Sequence, residues 1–226
     1  MFLHEHPHSP IFYENTTKII VGTLPPPRFS TNELKSDDVF FPYGSRDGNL
    51  WKALSDIYKL DLKYENTKFA IKQRDDFLKQ HRIGICDIVH SCKREKVDAS
   101  DIGMSDVILR DILGYLKAYK NIDTIIFTGG ASKNGPEYFL RQILKKEKIN
   151  ISLVSSDIPK IHRFMFEGRE IKTISLTSPS NAANRFIGSN SHYKKQKKLN
   201  PSYTTFDFRK EQYERVFKTG VPSPLS

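Results

Sequence analysis

The most distinctive chemistry of the sequence is cationic. The run His192-Tyr193-Lys194-Lys195-Gln196-Lys197-Lys198 combines an aromatic ring with lysines, and the whole chain of 226 residues has 36 Lys and Arg against 26 Asp and Glu, a formal charge of +10. Such an excess of cations favours a polyanionic partner, namely DNA, RNA or an anionic membrane surface. Loops that contact phosphates often mix aromatic and cationic side chains. A solvated loop on a lysine-rich protein fits the same pattern, so charge alone leaves both interpretations open.

Residues that could bind a metal or a redox cofactor are scarce. His4, His6 and His8 alternate, but no Cys or carboxylate stands at ligand spacing beside them, so we expect residues 1–10 to form a flexible segment. Cys86 and Cys92 are too few for an iron–sulfur cluster or a disulfide scaffold. Neither a dinucleotide fingerprint nor a Walker phosphate loop is present. We therefore expect no metal and no cofactor.

Short apolar runs alternate with amphipathic segments along the chain. The runs typical of strands are residues 18–22, 83–89, 122–127 and 151–154, with a hairpin over 163–166 and 172–176. The predicted helices begin at Asn49 and cover 105–116, where Ser105 is the predicted N-cap, 136–147 and 208–217. This alternation predicts an α/β fold of three layers (αβα), with a central, mainly parallel sheet covered on both faces. We expect one domain over residues 1–226, with a flexible tail over 219–226.

The loops at the carboxyl ends of parallel strands are the expected ligand site. In this sequence those loops follow Val21, Val89, Phe127 and Leu176. Proline residues 25–27 would make the first loop stiff. Asp87 ends a buried strand, where a carboxylate is costly unless it is hydrogen-bonded.

Several of these loops carry short motifs. The first is Gly22-Thr23-Leu24-Pro25-Pro26, followed by residues 41–51 (Phe-Pro-Tyr-Gly-Ser-Arg-Asp-Gly-Asn-Leu-Trp). The others are residues 84–94 (Gly-Ile-Cys-Asp-Ile-Val-His-Ser-Cys-Lys-Arg), 125–130 (Ile-Ile-Phe-Thr-Gly-Gly) and 175–182 (Ser-Leu-Thr-Ser-Pro-Ser-Asn-Ala). In this order, over roughly residues 8–190, they resemble the uracil-DNA glycosylase superfamily, most closely its mismatch-uracil and hypoxanthine-type branches. Residues 221–226 (Val-Pro-Ser-Pro-Leu-Ser) are similar to a loop of the classical enzymes but lack its histidine, and we assign them no role.

The resemblance implies a DNA glycosylase that flips a base out of the helix and hydrolyses its C1′–N bond. The sugar then becomes oxocarbenium-like while the base leaves with negative charge. Asp47 is the first candidate to orient water or to stabilise the cationic sugar; Asn49 and Thr23 are further catalytic candidates. A helix cap is the structural alternative for Asp47.

The resemblance also implies a set of substrate-binding residues. Phe41 and Tyr43 would stack on the flipped base, unless they pack as core aromatics. Backbone N–H groups of residues 22–24 would bind a base carbonyl or the leaving anion. Asp87 would contact the sugar or, as we favour, hold a loop in place. The full set is Gly22, Leu24, Pro25, Phe41, Tyr43, Asp87 and Thr128. Residues 7–10 would pack beside this pocket if they are not flexible.

The loop after the last strand is the implied DNA contact. It would enter the minor groove, with Ser178 and Ser180 on phosphate oxygens and Asn181 or Arg185 beside the vacated stack. An ordinary turn is the structural alternative. The DNA-binding candidates are Thr177, Ser178, Pro179, Ser180, Asn181, Arg185, Lys194 and Lys195.

Departures from the family pattern leave the substrate and the activity open. Leu24 stands where many members have a polar residue that positions water, and Gly48 stands in the alternative slot, between Asp47 and Asn49. The prediction is excision of uracil, hypoxanthine or a modified pyrimidine, in repair or in defence against phage DNA. The alternatives are a catalytically inactive DNA-binding member and an enzyme of free nucleotides. We expect a cytoplasmic, nucleoid-associated monomer that binds double- or single-stranded DNA and no membrane.

Overall fold

The computed structural model describes residues 1–98 and 101–220. Its strands are β1 (Phe2–Glu5), β2 (Lys18–Val21), β3 (Ile83–Ile85), β4 (Val89–Arg94), β5 (Met104–Leu109), β6 (Thr124–Phe127), β7 (Ile151–Ser155), β8 (Lys160–Phe166) and β9 (Arg169–Ser175). Its α-helices are α1 (Pro27–Ser30), α2 (Leu50–Tyr58), α3 (Lys68–Gln80), α4 (Ile112–Ala118), α5 (Pro136–Lys146), α6 (Asn184–Ser189), α7 (Ser191–Leu199) and α8 (Thr205–Glu214). Short 3₁₀ turns lie at Asp101–Gly103 and Asn181–Ala183, and a π-helical turn at Arg215–Thr219 follows α8.

The central sheet has six strands in the order β3-β2-β6-β9-β8-β7. The first four are parallel, and β8 and β7 are antiparallel additions at one side. Side chains alternate along each strand, so that Ile20 faces one apolar cluster, which includes α2, α3 and α8, while Ile19 and Val21 face the other, which includes α4 and α5. Both faces of the sheet are therefore covered by helices, and the predicted αβα fold is confirmed.

The parallel strands bring the predicted loops to one edge. Val21 pairs with Phe127, and Phe127 pairs with Ser175, so β2, β6 and β9 end side by side. The segments that follow these strands therefore leave the sheet together, as the carboxyl ends of neighbouring parallel strands must.

A second, three-stranded sheet in the order β1-β4-β5 corrects two predictions. Residues 1–10 are not a flexible segment, because β1 pairs with β4 and His4 is completely buried. The predicted strand over residues 83–89 is two strands, since the chain leaves the central sheet after Ile85 and enters the second sheet at Val89. The polar appearance of β4 comes from exposed His90 and Lys93 and from buried polar Ser91 and Arg94, on a strand whose pairing with β5 is irregular.

The predicted helix over residues 105–116 is wrong in its first half. That half is β5, in which Val107 and Leu109 pack on the core while Ile108 is exposed. The true helix begins at Ile112, and its N-cap is Asp111, whose carboxylate accepts the N–H of Gly114. The spacing of the apolar residues fits both a strand, with its period of two, and a helix. Pairing with β4 makes the segment a strand.

Two further helices differ from the sequence interpretation. The basic cluster, interpreted as a loop, forms α7, capped by the side chain of Asn190 on the N–H of Tyr193. Helix α3, which the sequence left unassigned, begins after Thr67, whose hydroxyl accepts the N–H of Ala70. Within the described residues, no helix combines the length and the apolarity needed to cross a bilayer. The predicted tail lies outside the described residues from 221 onwards.

Candidate active site

A cavity of about 340 Å³ opens at the carboxyl edge of the central sheet. Its volume is within the range of small-molecule sites. The segments that follow Val21, Phe41 and Leu176 all contribute to its walls. The candidate residues that line it are Gly22, Thr23, Leu24, Pro25, Tyr43, Asp47, Asp87, Thr128, Ser178, Pro179, Ser180 and Asn181.

Asp87 connects three segments at the floor of the cavity. Its Oδ1 accepts the backbone N–H of Gly22 at 2.7 Å and the hydroxyl of Tyr43 at 2.6 Å, and its Oδ2 accepts Nε2–H of His6 at 2.9 Å. Nδ1 of His6 accepts the N–H of His8, which directs the proton to Nε2. Burial opposes the charge of Asp87, but the bonds from His6, Tyr43 and Gly22 outweigh it and lower the pKa of this carboxyl. Asp87 is therefore a buried anion that holds the floor together.

Tyr43 is fixed in an unusual backbone conformation. Its φ of 59° lies in the left-handed region, which is rare for a residue with a large side chain. Its hydroxyl bonds Asp87 and lies 3.2 Å from the Thr128 hydroxyl. A side chain at position 22 would collide with this hydroxyl, so glycine there permits the close approach.

One rim of the cavity is an ion-pair cluster around Arg28. The guanidinium donates to both oxygens of the buried Asp38 at 2.7 and 2.9 Å, to the Ser45 hydroxyl at 2.8 Å and to Oδ2 of Asp47 at 3.1 Å. Asp47 is 58% exposed at the mouth of the cavity. It does not cap α2, because the N-cap position is Asn49 and the structure shows no side-chain cap there. Arg28 thus positions the first catalytic candidate.

Another part of the rim is the loop of residues 178–181, whose Asn181 amide lies 3.5 Å from the Asp47 carbonyl. Arg209, almost fully buried, donates to the carbonyls of Ser178 and Ser180 at 2.8 and 2.7 Å. Asn49 donates its amide to the Pro179 carbonyl at 2.8 Å and to Oδ1 of Asn181 at 3.2 Å. The loop is therefore held in one shape from two sides, with its serine hydroxyls and Asn181 at the cavity.

A third wall comes from Asp101, in the 3₁₀ turn that precedes β5. The Thr23 hydroxyl donates to Oδ1 of Asp101 at 2.7 Å, and both residues line the cavity. The Asn134 amide donates to the carbonyls of Asp101 and Met104, each at 3.0 Å, which ties this turn to the loop after β6. The sequence analysis missed Asp101, and the polar stretch that contains it carried no motif.

These contacts place four of the predicted groups away from the open cavity. Phe41 is a core residue, 6% exposed, that packs against Trp51 and does not line the cavity. The N–H of Gly22 already donates to Asp87, so it is not available to a leaving anion. Asn49 connects two loops behind the cavity wall. Thr177 lies behind the wall too, where its N–H donates to Gln212 and its carbonyl accepts from Tyr213.

The N-terminal histidines belong to the site, although the sequence analysis interpreted them as flexible. His6 and His8 line the cavity, and the His8 ring lies 4.7 Å from that of Phe40. Burial and the neighbouring His6 lower the pKa of His8 to about 4, so its ring is neutral near pH 7. Nε2 of His8 is buried without a hydrogen-bond partner among the described residues. Of the three alternating histidines, His4 lies on β1 and is completely buried, whereas His6 and His8 follow that strand. Among the described residues, no cluster of His, Cys, Asp or Glu is placed to hold a metal ion.

The remaining DNA-binding candidates lie outside the cavity, on α6 and α7. Arg185, Lys194 and Lys195 are exposed, and the neighbouring Phe186 is 53% exposed. The Lys197 ammonium, in contrast, donates to the carbonyls of Pro201 and Tyr203. The free cationic surface of α7 therefore includes Lys194 and Lys195.

The comparison with solved structures agrees with this architecture. The chain is similar to the solution NMR structure of a "putative Uracil DNA glycosylase" from Methanosarcina acetivorans, with a TM-score of 0.56 and 18% identity over 96% of this chain and 98% of that chain. The chain has a uracil-DNA glycosylase-like fold. No protein-family model and no curated protein matches the sequence.

Proposed function

We propose that this protein is a monofunctional DNA glycosylase. It would accept a flipped uracil, hypoxanthine or modified pyrimidine and hydrolyse its C1′–N bond, as a cytoplasmic, nucleoid-associated monomer in DNA repair or in defence against phage DNA. The observation that carries the proposal is the convergence of residues 22–25, 43–48 and 178–181 around one cavity. The shared fold supports it.

Three features of the cavity lining support base excision. Leu24, Pro25 and Pro42 supply apolar walls for a base, and Thr128 supplies a hydroxyl beside Tyr43. The loop of residues 178–181 presents hydroxyls and an amide to the DNA backbone at the mouth. Asp47 stands at the same mouth, where it would orient water or stabilise the cationic sugar.

The test is mass spectrometry of the bases released from double- and single-stranded DNA. The panel contains uracil, hypoxanthine and phage-type modified pyrimidines. We expect release of one class of base. Failure to release any of them, by a protein that is shown to be folded, rejects the proposal.

A catalytically inactive DNA-binding protein is the second candidate, because Leu24 puts an apolar side chain at the cavity wall where the family often has a polar one. Base release by the wild type distinguishes the two, and replacing Asp47 with Asn then tests the catalytic role of Asp47. We expect release to fall about 100-fold, since one electrostatic contact to a transition state contributes on that scale, while DNA affinity stays within about twofold. Asn49 should be left intact, because it holds the DNA-facing loop. Equal release by the variant and the wild type would remove Asp47 from the mechanism.

The salt dependence of DNA affinity tests the role of α7. Each lysine that contacts a phosphate adds about 0.9 to the slope of log affinity against log salt. We therefore expect Lys194→Gln with Lys195→Gln to reduce this slope by about 1.8. The matched control is Lys145→Gln with Lys146→Gln at the far end of α5, which should leave the slope unchanged. Equal slopes for both double variants would exclude α7 from the interface.

A further inference from the structure

The cavity contains three carboxyl groups in different environments. Asp87 is saturated by three donors, and Asp47 is exposed and pairs with Arg28. Asp101 is half-buried, and the Thr23 hydroxyl is the donor that reaches its carboxyl group among the described residues. Among the described residues, no cation lies within ion-pair distance of the Asp101 carboxyl group. Of the three carboxyl groups, Asp101 is therefore the one that is best placed to act on a ligand.

Several polar and charged groups act on the pKa of Asp101. Burial raises the pKa of Asp101, and the negative charge of Asp87 raises it further; the Thr23 hydroxyl and the more distant Arg94 act in the opposite direction. His6 and His8 line the same cavity. The two carboxyl groups therefore have pKa values shifted in opposite directions, that of Asp87 downwards and that of Asp101 upwards. When the environments of two carboxyl groups in one site push their pKa values apart, one group often acts as an anion and the other as a proton donor.

The short 3₁₀ turn over residues 101–103 is held where Asp101 enters it. Asn134 is buried and donates to the carbonyls of Asp101 and Met104, and three prolines follow Leu24, the residue next to Thr23. These contacts fix the carboxyl group from both sides. A proton donor needs such positioning because transfer requires hydrogen-bond distance to the reacting atom.

We propose that Asp101 is a catalytic acid that protonates the departing base, with Thr23 as its positioning residue. This inference rests on the proposed glycosylase function. As the C1′–N bond breaks, its electron pair stays with the base, and a ring nitrogen or carbonyl oxygen of the base takes the proton of Asp101. Water adds its hydroxyl to C1′, and its remaining proton restores Asp101. The sum is hydrolysis, with no other reactant.

The experiment is single-turnover base release from pH 4 to 9 with the base identified in the panel. The wild-type rate should fall as pH rises through the pKa of Asp101, because the protonated form is the active one. The rate of base release by Asp101→Asn at the pH optimum should be about 100-fold lower than that of the wild type, the scale of general acid catalysis. The decrease in rate at alkaline pH should be absent from the pH profile of this variant. Thr23→Val removes a hydrogen bond that lowers the pKa of Asp101. In the pH profile of this variant, the decrease in rate should therefore begin at a higher pH than in the wild type. Asp106→Asn, an exposed aspartate on β5, is the matched control and should keep the wild-type profile.

A ¹³C NMR titration of the carboxyl resonances measures the pKa of Asp101 without substrate. The Asp101 resonance is assigned as the one that is missing from the spectrum of Asp101→Asn. It should show a pKa above the usual value of about 3.9 that rises further in Thr23→Val. Wild-type profiles for both Asp101→Asn and Thr23→Val, or an Asp101 pKa at or below the usual value, would overturn the inference while base release itself still supports the glycosylase. Absence of release by the wild type, with a raised Asp101 pKa, would reject the glycosylase function instead. If Asp101→Asn does not fold, the pH profile of Thr23→Val is the test: a shift to higher pH supports the inference, and a wild-type profile overturns it.

Discussion

Replacing Asp87 with Ala is expected to destabilise the protein by about 2–4 kcal/mol and to reduce base release by at least about 100-fold. The variant leaves the N–H of Gly22, the hydroxyl of Tyr43 and Nε2–H of His6 without their acceptor in a buried place. An unsatisfied buried donor costs about 1–3 kcal/mol. The same bonds position the loop after β2 and the ring of Tyr43, so the geometry of the proposed active site is lost together with stability.

The measurement is denaturant unfolding together with single-turnover base release. Tyr43→Phe is the matched control, because it removes one of the three bonds and keeps the carboxylate; we expect a loss of about 1 kcal/mol. Since the folded-state pKa of Asp87 is lowered, its contribution is present above about pH 4 and disappears as pH falls through the folded pKa. An Asp87→Ala variant with wild-type stability at pH 7 would contradict the role of Asp87 at the floor.

Replacing Arg28 with Met is expected to cost about 3–5 kcal/mol at pH 7, because it leaves the buried Asp38 without its cation. The Asp38 side chain is completely inaccessible, and the backbone N–H groups of Lys35 and Arg46 would be its remaining donors. Asp47 loses its partner as well. Base release should therefore decrease even at temperatures where the variant remains folded.

The double variant Arg28→Met with Asp38→Asn is the control, since it removes the uncompensated charge and should recover part of the stability. Burial opposes the charge of Asp38, but the bonds from Arg28, Arg46 and Lys35 outweigh it and lower its pKa. The difference between wild type and Arg28→Met should therefore be largest above about pH 4 and should shrink as pH falls through the lowered pKa, where Asp38 becomes protonated. A difference that is constant from pH 2 to 7 would contradict this account.

The layered α/β fold and the edge that carries the cavity were predictable from local sequence. The runs that end at Val21 and Phe127 are apolar on both faces, which only a covered, mainly parallel sheet accommodates. Parallel strands place their following loops at one edge, so Gly22, Thr128 and Ser178 could be grouped before any coordinates were known.

The contacts that make the site specific join residues far apart in the chain. Thr23 and Asp101 are separated by 78 positions, and His6 and Asp87 by 81. Periodicity and capping rules describe neighbours within one element, so they contain no information on which polar side chain will meet another across the molecule. Even the conformation of residues 105–109 depended on pairing with β4, because the apolar spacing there fits a helix and a strand alike. Local pattern thus specified the sheet and the edge that carries the cavity, whereas long-range packing selected the carboxyl groups that line the cavity, lowering the pKa of Asp87 and raising that of Asp101.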